Sequence, residues 1–236
     1  MKTFANRMIS FNDQLHFPGK LPRGVKVMNP FTDNTAKKIS SAFYKKFYND
    51  NNPRFLILGI NPGRFGAGLT GVPFTDTKRL EGVCGIPFPG TKTHEPSSAF
   101  VYEVVDAMGG PERFYGNFFI QSVCPLGFTI RNAKGRDVNY NYYDDKKLTK
   151  SVMSFVLDNI RKQFELGIYE DIIFCFGTGK NLRFINQLNE KHHFFKEIIP
   201  LEHPRFIMQY KSKSKQLYID KYLNAFNDVM KRKDLI

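Results

Sequence analysis

The densest run of residues able to take part in chemistry is Gly59-Ile60-Asn61-Pro62-Gly63-Arg64-Phe65-Gly66, continued by Leu69-Thr70-Gly71-Val72-Pro73-Phe74. It combines a carboxamide, glycines that let backbone approach a ligand closely, and aromatic rings nearby. A tight strand-to-helix turn would ask for Gly and Asn for backbone reasons alone, so the run by itself leaves turn and site both open. Two later segments carry further candidates, Ser122-Val123-Cys124-Pro125-Leu126 and Glu202-His203-Pro204-Arg205. A lone histidine is ordinarily a cap or a core residue, and Phe74 is one ring among 24 phenylalanines. After His203 the chain mixes apolar and basic residues, from Arg205, Phe206 and Ile207 to Lys211, Lys213 and Lys215. That mixture suits either a solvated basic loop or a loop tip that enters a nucleic acid.

These residues need a scaffold. Arg54-Phe55-Leu56-Ile57-Leu58-Gly59-Ile60 reads as a strand buried on both faces, ending in the turn Asn61-Pro62-Gly63. Further strands are expected at 117–123, 171–176 and 196–201. A polar helix opens the chain, and the Pro- and Gly-broken segment 17–24 is a loop. Ile39, Phe43 and Phe47 recur at one-turn spacing in a helix over 36–48. Ser97 and Ser98 are placed to cap a helix at 100–108, which Gly109-Gly110-Pro111 stops. Helices over 144–164 and 216–230 complete the pattern. Strands alternating with helices predict an α/β fold, a mainly parallel four-stranded sheet with helices on both faces, in one domain spanning 1–236. In such sheets ligands bind beyond the carboxyl ends of the strands, here Asn61, Ser122, Gly177 and His203.

The charge narrows the partners. Thirty-five Lys and Arg against 22 Asp and Glu leave +13, which favours nucleic acid first and anionic membrane second. No apolar run approaches the roughly 20 residues that span a bilayer. The first 15 residues lack the apolar stretch of a secretion signal, so a cytoplasmic protein is expected. Cys84, Cys124 and Cys175 are scattered and odd in number, as in a reducing compartment. They form no CxxC pair, and no metal or other cofactor is expected. Gly177-Thr178-Gly179-Lys180 is too short for a P-loop and carries Asn181 where Ser or Thr belongs; it reads as a strand-to-helix turn. His16, His94, His192 and His193 lack ligand spacing and are expected at the surface.

The first segment resembles the leading active-site motif of the single-strand-selective monofunctional uracil-DNA glycosylases, G-(apolar)-N-P-G-x-(aromatic)-G followed by T-G-V-P-F. Ser122 to Leu126 resembles that family's N-x-C-P-L strand end, and Glu202 to Arg205 its H-P motif. Val27-Met28-Asn29-Pro30 looks like an upstream N-P segment. The resemblance runs from about residue 27 to 220, in order, and implies a uracil-DNA glycosylase-like three-layer αβα sandwich.

It also implies an activity: flipping a damaged base, uracil or a modified uracil, from DNA and hydrolysing its N-glycosidic bond in base-excision repair. Such a reaction leaves an oxocarbenium-like sugar and a base anion. By resemblance the catalytic residues are Asn61, which positions the water, and His203, which donates to the base oxygen. Gly63, Phe65, Phe74 and Ser122 would form the base pocket, with Phe74 stacking on the pyrimidine. Arg205, Phe206, Ile207, Lys211 and Lys213 would meet DNA. No lysine in the matched motifs is placed for a Schiff base, so no lyase activity is expected. The implied partner is DNA, met by a monomer in the cytoplasm, nucleoid-associated in a bacterium or nuclear in a eukaryote. Ser122 departs from the family, which has Asn there; a hydroxyl usually makes one bond where the amide makes two. Gln121 is expected on the opposite sheet face. Two other readings stay open: a DNA-binding relative without activity, and a glycosylase for another lesion such as hypoxanthine, xanthine or an oxidised pyrimidine.

Overall fold

The computed structural model describes residues 2–236. In chain order the elements are α1 (Phe4–Asp13), β1 (Val25–Met28), α2 (Asn34–Phe47), β2 (Arg54–Gly59), α3 (Ala67–Thr70), α4 (Thr77–Gly82), α5 (Pro96–Ala107), α6 (Pro111–Asn117) and β3 (Phe118–Ser122). Then come β4 (Gly127–Arg131), β5 (Asp137–Tyr140), α7 (Lys146–Phe164), β6 (Ile168–Phe176), α8 (Lys180–His192), β7 (Glu197–Leu201), α9 (Pro204–Tyr210) and α10 (Lys215–Lys231).

The main sheet runs β3-β2-β6-β7, every neighbouring pair parallel. All residues of β2 and β3 are buried, as strands covered on both faces require. Phe118 and Phe119 are consecutive, so their rings leave opposite faces of the sheet. Phe118 packs on Phe226 of α10, with ring centroids 4.5 Å apart, and Phe119 on Phe4 of α1 at 5.0 Å. The terminal helices therefore lie on opposite sides, giving the expected three layers. Much of the phenylalanine is this core.

Arg54, the first residue of the central strand, is fully buried. Its guanidinium grips the Asp50 carboxylate through two bonds and donates to the Tyr115 carbonyl. The pairing holds the Asp50 carboxyl below its ordinary range.

A second sheet, the antiparallel β1-β4-β5, was not expected from the sequence. Its strands are four or five residues long, and Asp137-Val138-Asn139-Tyr140 is half polar, so no apolar alternation announces it. The turn between β4 and β5 is set by Asn132, whose side-chain oxygen accepts from Lys134 and Arg136 N–H groups. Two local expectations are corrected. Helix α5 starts at Pro96 with Glu95 as its N-cap, because proline suits the first helical position; Ser98 instead accepts the Asp76 N–H. The segment after His203 is not a loop: Pro204 to Tyr210 forms α9. No described helix is long and apolar enough to cross a membrane.

Candidate active site

Because the main strands are parallel, their carboxyl ends share one edge, and a cleft of about 790 Å³ opens there. Asn61, Ser122, Gly177 and His203 all line it, as the layout of the sequence predicts. Gly59 pairs with Ser122 in register, so the ends of β2 and β3 are level. Gly177 donates its N–H to the Leu201 carbonyl at 2.7 Å, which ties the end of β6 to that of β7.

Asn61 is half-buried. Its Oδ1 accepts the Tyr142 N–H at 3.2 Å, and its Nδ2 lies 3.5 Å from the Tyr140 carbonyl and 3.4 Å from that of Pro62. The Tyr142 N–H requires an acceptor, which assigns the amide's orientation. One lone pair of Oδ1 is left over.

His203 is the N-cap of α9, and its Nδ1 accepts the Arg205 N–H at 3.1 Å. That bond places the ring proton on Nε2. Burial, aided by the Arg205 charge, pushes the imidazole down to about 4. The ring is therefore a neutral donor at physiological pH. Its approach is fixed from below, where the Tyr222 hydroxyl donates to the Glu202 carbonyl and Lys221 pairs with the Glu202 carboxylate at 2.8 Å.

Phe74 completes the floor, its ring centroid 5.2 Å from Phe176 and 5.6 Å from His203. It sits at φ 52°, a left-handed conformation uncommon outside glycine. Thr70 holds the preceding turn, accepting the Val72 N–H and donating to the Thr75 carbonyl at 2.8 Å. A side chain at Gly59 would begin 2.6 Å from the Phe74 ring, so glycine there is what admits the ring.

Gly63 lines the cleft as expected. Phe65 does not: it is 52% exposed, turned out of the cleft beneath the Arg64 guanidinium at 5.0 Å. Ile207 is fully buried in the core and cannot reach DNA, since a helical turn carries it to the inner side of α9. The outward residues of that helix, Phe206 and Tyr210, are 42% and 65% exposed, stack on each other at 5.5 Å and line the cleft rim. Arg205, Lys211 and Lys213 are exposed beside them. Gln121 lies outside the cleft, its side chain accepting the Ser122 N–H. Asn29 caps the turn at Phe31 and donates to the Leu15 carbonyl, a structural role away from the cleft.

The sequence reading missed several cleft residues. Glu95 is the one acid in the lining, next to Gly63, and burial followed by the neighbouring Asp76 raises its carboxyl above the usual range. Asn139, Asn141 and Tyr143 arrive from the second sheet and its following turn. Lys180 stands at the rim with its amine 5.8 Å from the Tyr143 ring centre.

Fold and site together define an α/β domain whose parallel strand ends present a carboxamide oxygen, a neutral imidazole donor and an aromatic floor to one cleft. The family model of the uracil DNA glycosylase superfamily matches residues 45–227, and the chain belongs to that superfamily. It is similar to the crystal structure of wild-type Pedobacter heparinus SMUG2, with 56% identity over 97% of this chain and 99% of that one, at a TM-score of 0.95.

Proposed function

We propose that the protein is a monofunctional DNA glycosylase that takes uracil or a modified uracil into this cleft and hydrolyses its N-glycosidic bond, as a single-domain monomer in base-excision repair. The observation that carries the reading is Asn61 and His203 presenting a carbonyl oxygen and an Nε2–H to one cleft over Phe74. The flipped base stacks on Phe74. Asn61 Oδ1 accepts from a water aimed at the sugar, and His203 donates to the base oxygen on which charge grows as the bond breaks. Asn61 cannot take up a proton, so positioning and electrostatics carry the reaction. Phe206 and Tyr210 form the wedge that fills the gap left by the base, flanked by phosphate contacts from Arg205, Lys211 and Lys213.

The test is excision from oligonucleotides carrying one uracil, hypoxanthine, xanthine or 5-hydroxymethyluracil, with a borohydride-trapping arm. Base release without a trapped adduct is expected. Inactivity on all four, or an adduct through an amine such as Lys180, overturns the reading.

Ser122 favours a second reading, preference for a lesion other than uracil. Its short side chain ends β3 in the cleft, where an amide would read the pyrimidine edge with two bonds. Ser122→Asn is expected to shift preference toward uracil by ~1–3 kcal/mol, provided the pocket admits the longer side chain. Single-turnover rates on the four lesions measure it. Unchanged preferences in a stably folded variant would show that Ser122 does not read the base.

The phosphate contacts give a separate expectation. Affinity for duplex DNA should fall with salt, log K dropping by ~0.9 per neutralised phosphate. Lys211→Ala with Lys213→Ala should flatten that slope in a binding titration across salt concentrations. An unaltered slope places the DNA path elsewhere.

A further inference from the structure

We infer that Tyr142 and Asn181 are a positioning pair that locks the orientation of the Asn61 carboxamide and so sets the rate of the chemical step, an inference that rests on the role proposed above for Asn61. Asn61 stands on the turn beyond β2, and nothing in its own segment decides which way its amide faces. The decision comes from the Tyr142 N–H on Oδ1. Tyr142 is fully buried, its ring 4.7 Å from that of Phe184 and 5.0 Å from that of Tyr143. Its hydroxyl donates to Asn181 Oδ1 at 2.7 Å. Burial pushes the phenol well above its ordinary range, which keeps that donor proton in place.

Asn181 is itself unable to flip. Its Nδ2 donates to the carbonyl of Phe176, the last residue of β6, at 3.2 Å, and comes within 3.5 Å of the Gly59 carbonyl. Reversing the amide would set oxygen against those carbonyls and nitrogen against a donating hydroxyl. The path from the end of β6 through Asn181 and Tyr142 to Asn61 is thus polarised at every step.

The polarity matters chemically. The attacking water needs a free lone pair toward the sugar and an acceptor for its proton. Asn61 Oδ1, with one lone pair held by Tyr142, offers that acceptor. A flipped Asn61 would present N–H instead, which engages the lone pair that should attack. Tyr142 does not line the cleft, so its contribution passes entirely through Asn61.

Tyr142→Phe tests this, since it deletes the hydroxyl and keeps the buried ring. On an oligonucleotide with one deoxyuridine, the single-turnover rate is expected to fall about tenfold, within what a small misplacement of a reacting group costs. Affinity for an oligonucleotide bearing a tetrahydrofuran abasic analogue should stay at the wild-type level. In the free protein, the Asn61 side-chain amide signals, identified by their loss in Asn61→Ala, should shift and broaden in Tyr142→Phe. A wild-type rate, unchanged Asn61 signals, or a slower rate matched by weaker DNA binding each overturns the inference. Should Tyr142→Phe not fold, Asn181→Ser removes the acceptor and serves the same readouts. Wild-type inactivity on every lesion would overturn the proposed function instead, while the amide signals would still decide whether the pair locks Asn61.

Discussion

Asn61→Ala is expected to eliminate measurable base release while leaving DNA binding intact. The side chain is small, half-buried and set back on the turn after β2, away from the basic residues around α9. Its removal deletes no phosphate contact. What it deletes is the acceptor for the water, and the Tyr142 N–H that held this acceptor is then left to bond whatever solvent enters. A water without a fixed acceptor samples many orientations, and misplacing a reacting group by an ångström can cost ~10²-fold. No other side chain is set to take over, because Glu95, the one acid of the lining, sits against Gly63 with its carboxyl pushed toward the protonated form. Single-turnover excision and a parallel binding titration check the pair of outcomes. Retained excision would remove Asn61 from the mechanism, and lost binding would make its role structural.

How much of this was legible in the sequence depended on how local the signal was. The four strands of the main sheet are apolar runs that end in turn residues, and their carboxyl ends fall in the cleft as the layout requires. The second sheet is built from short polar strands whose stability comes from pairing across the turn at Asn132, which leaves no periodic trace. Phe65 and Ile207 failed for one reason: a motif names a residue type, and only backbone geometry says which way it faces. Phe65 follows a turn that rotates it into solvent, and Ile207 lies on the inner side of a helix read as a loop. The contacts that orient Asn61 were beyond sequence reasoning altogether. Asn61 meets Tyr142 across 81 positions and Tyr142 meets Asn181 across 39, and neither partner carries a local pattern. Asn181 had been noticed only as the residue that spoils a P-loop, yet it is a buried amide tied to the ends of two strands.

His203→Ala should slow excision by about 2.7–4 kcal/mol of transition-state stabilisation, the cost of losing one donor aimed at developing charge. The donor is well defined, since Nδ1 is occupied by the Arg205 N–H and the proton is left on Nε2. The same geometry makes a pH statement. An imidazole held at about 4 stays neutral through the range where a free histidine, near 6.5, takes up its proton. Excision should therefore show no loss from His203 protonation between pH 7 and about 5, with its acid limb near 4. The linkage to folding has a definite sign. Between about 4 and 6.5 the unfolded chain binds a proton at this position that the folded chain refuses. The stability tied to the neutral ring is thus complete above about 6.5 and declines as pH falls toward 4. In His203→Ala that decline should be absent, so the variant's stability should fall less steeply on acidification than the wild type's. Single-turnover rates and denaturant midpoints from pH 4 to 8 read both effects. An acid limb near 6.5 in the wild-type rate would mean that the imidazole titrates as a solvated group. His203 would then act on the departing base as a cation, and its bond to the Arg205 N–H would be broken during the reaction.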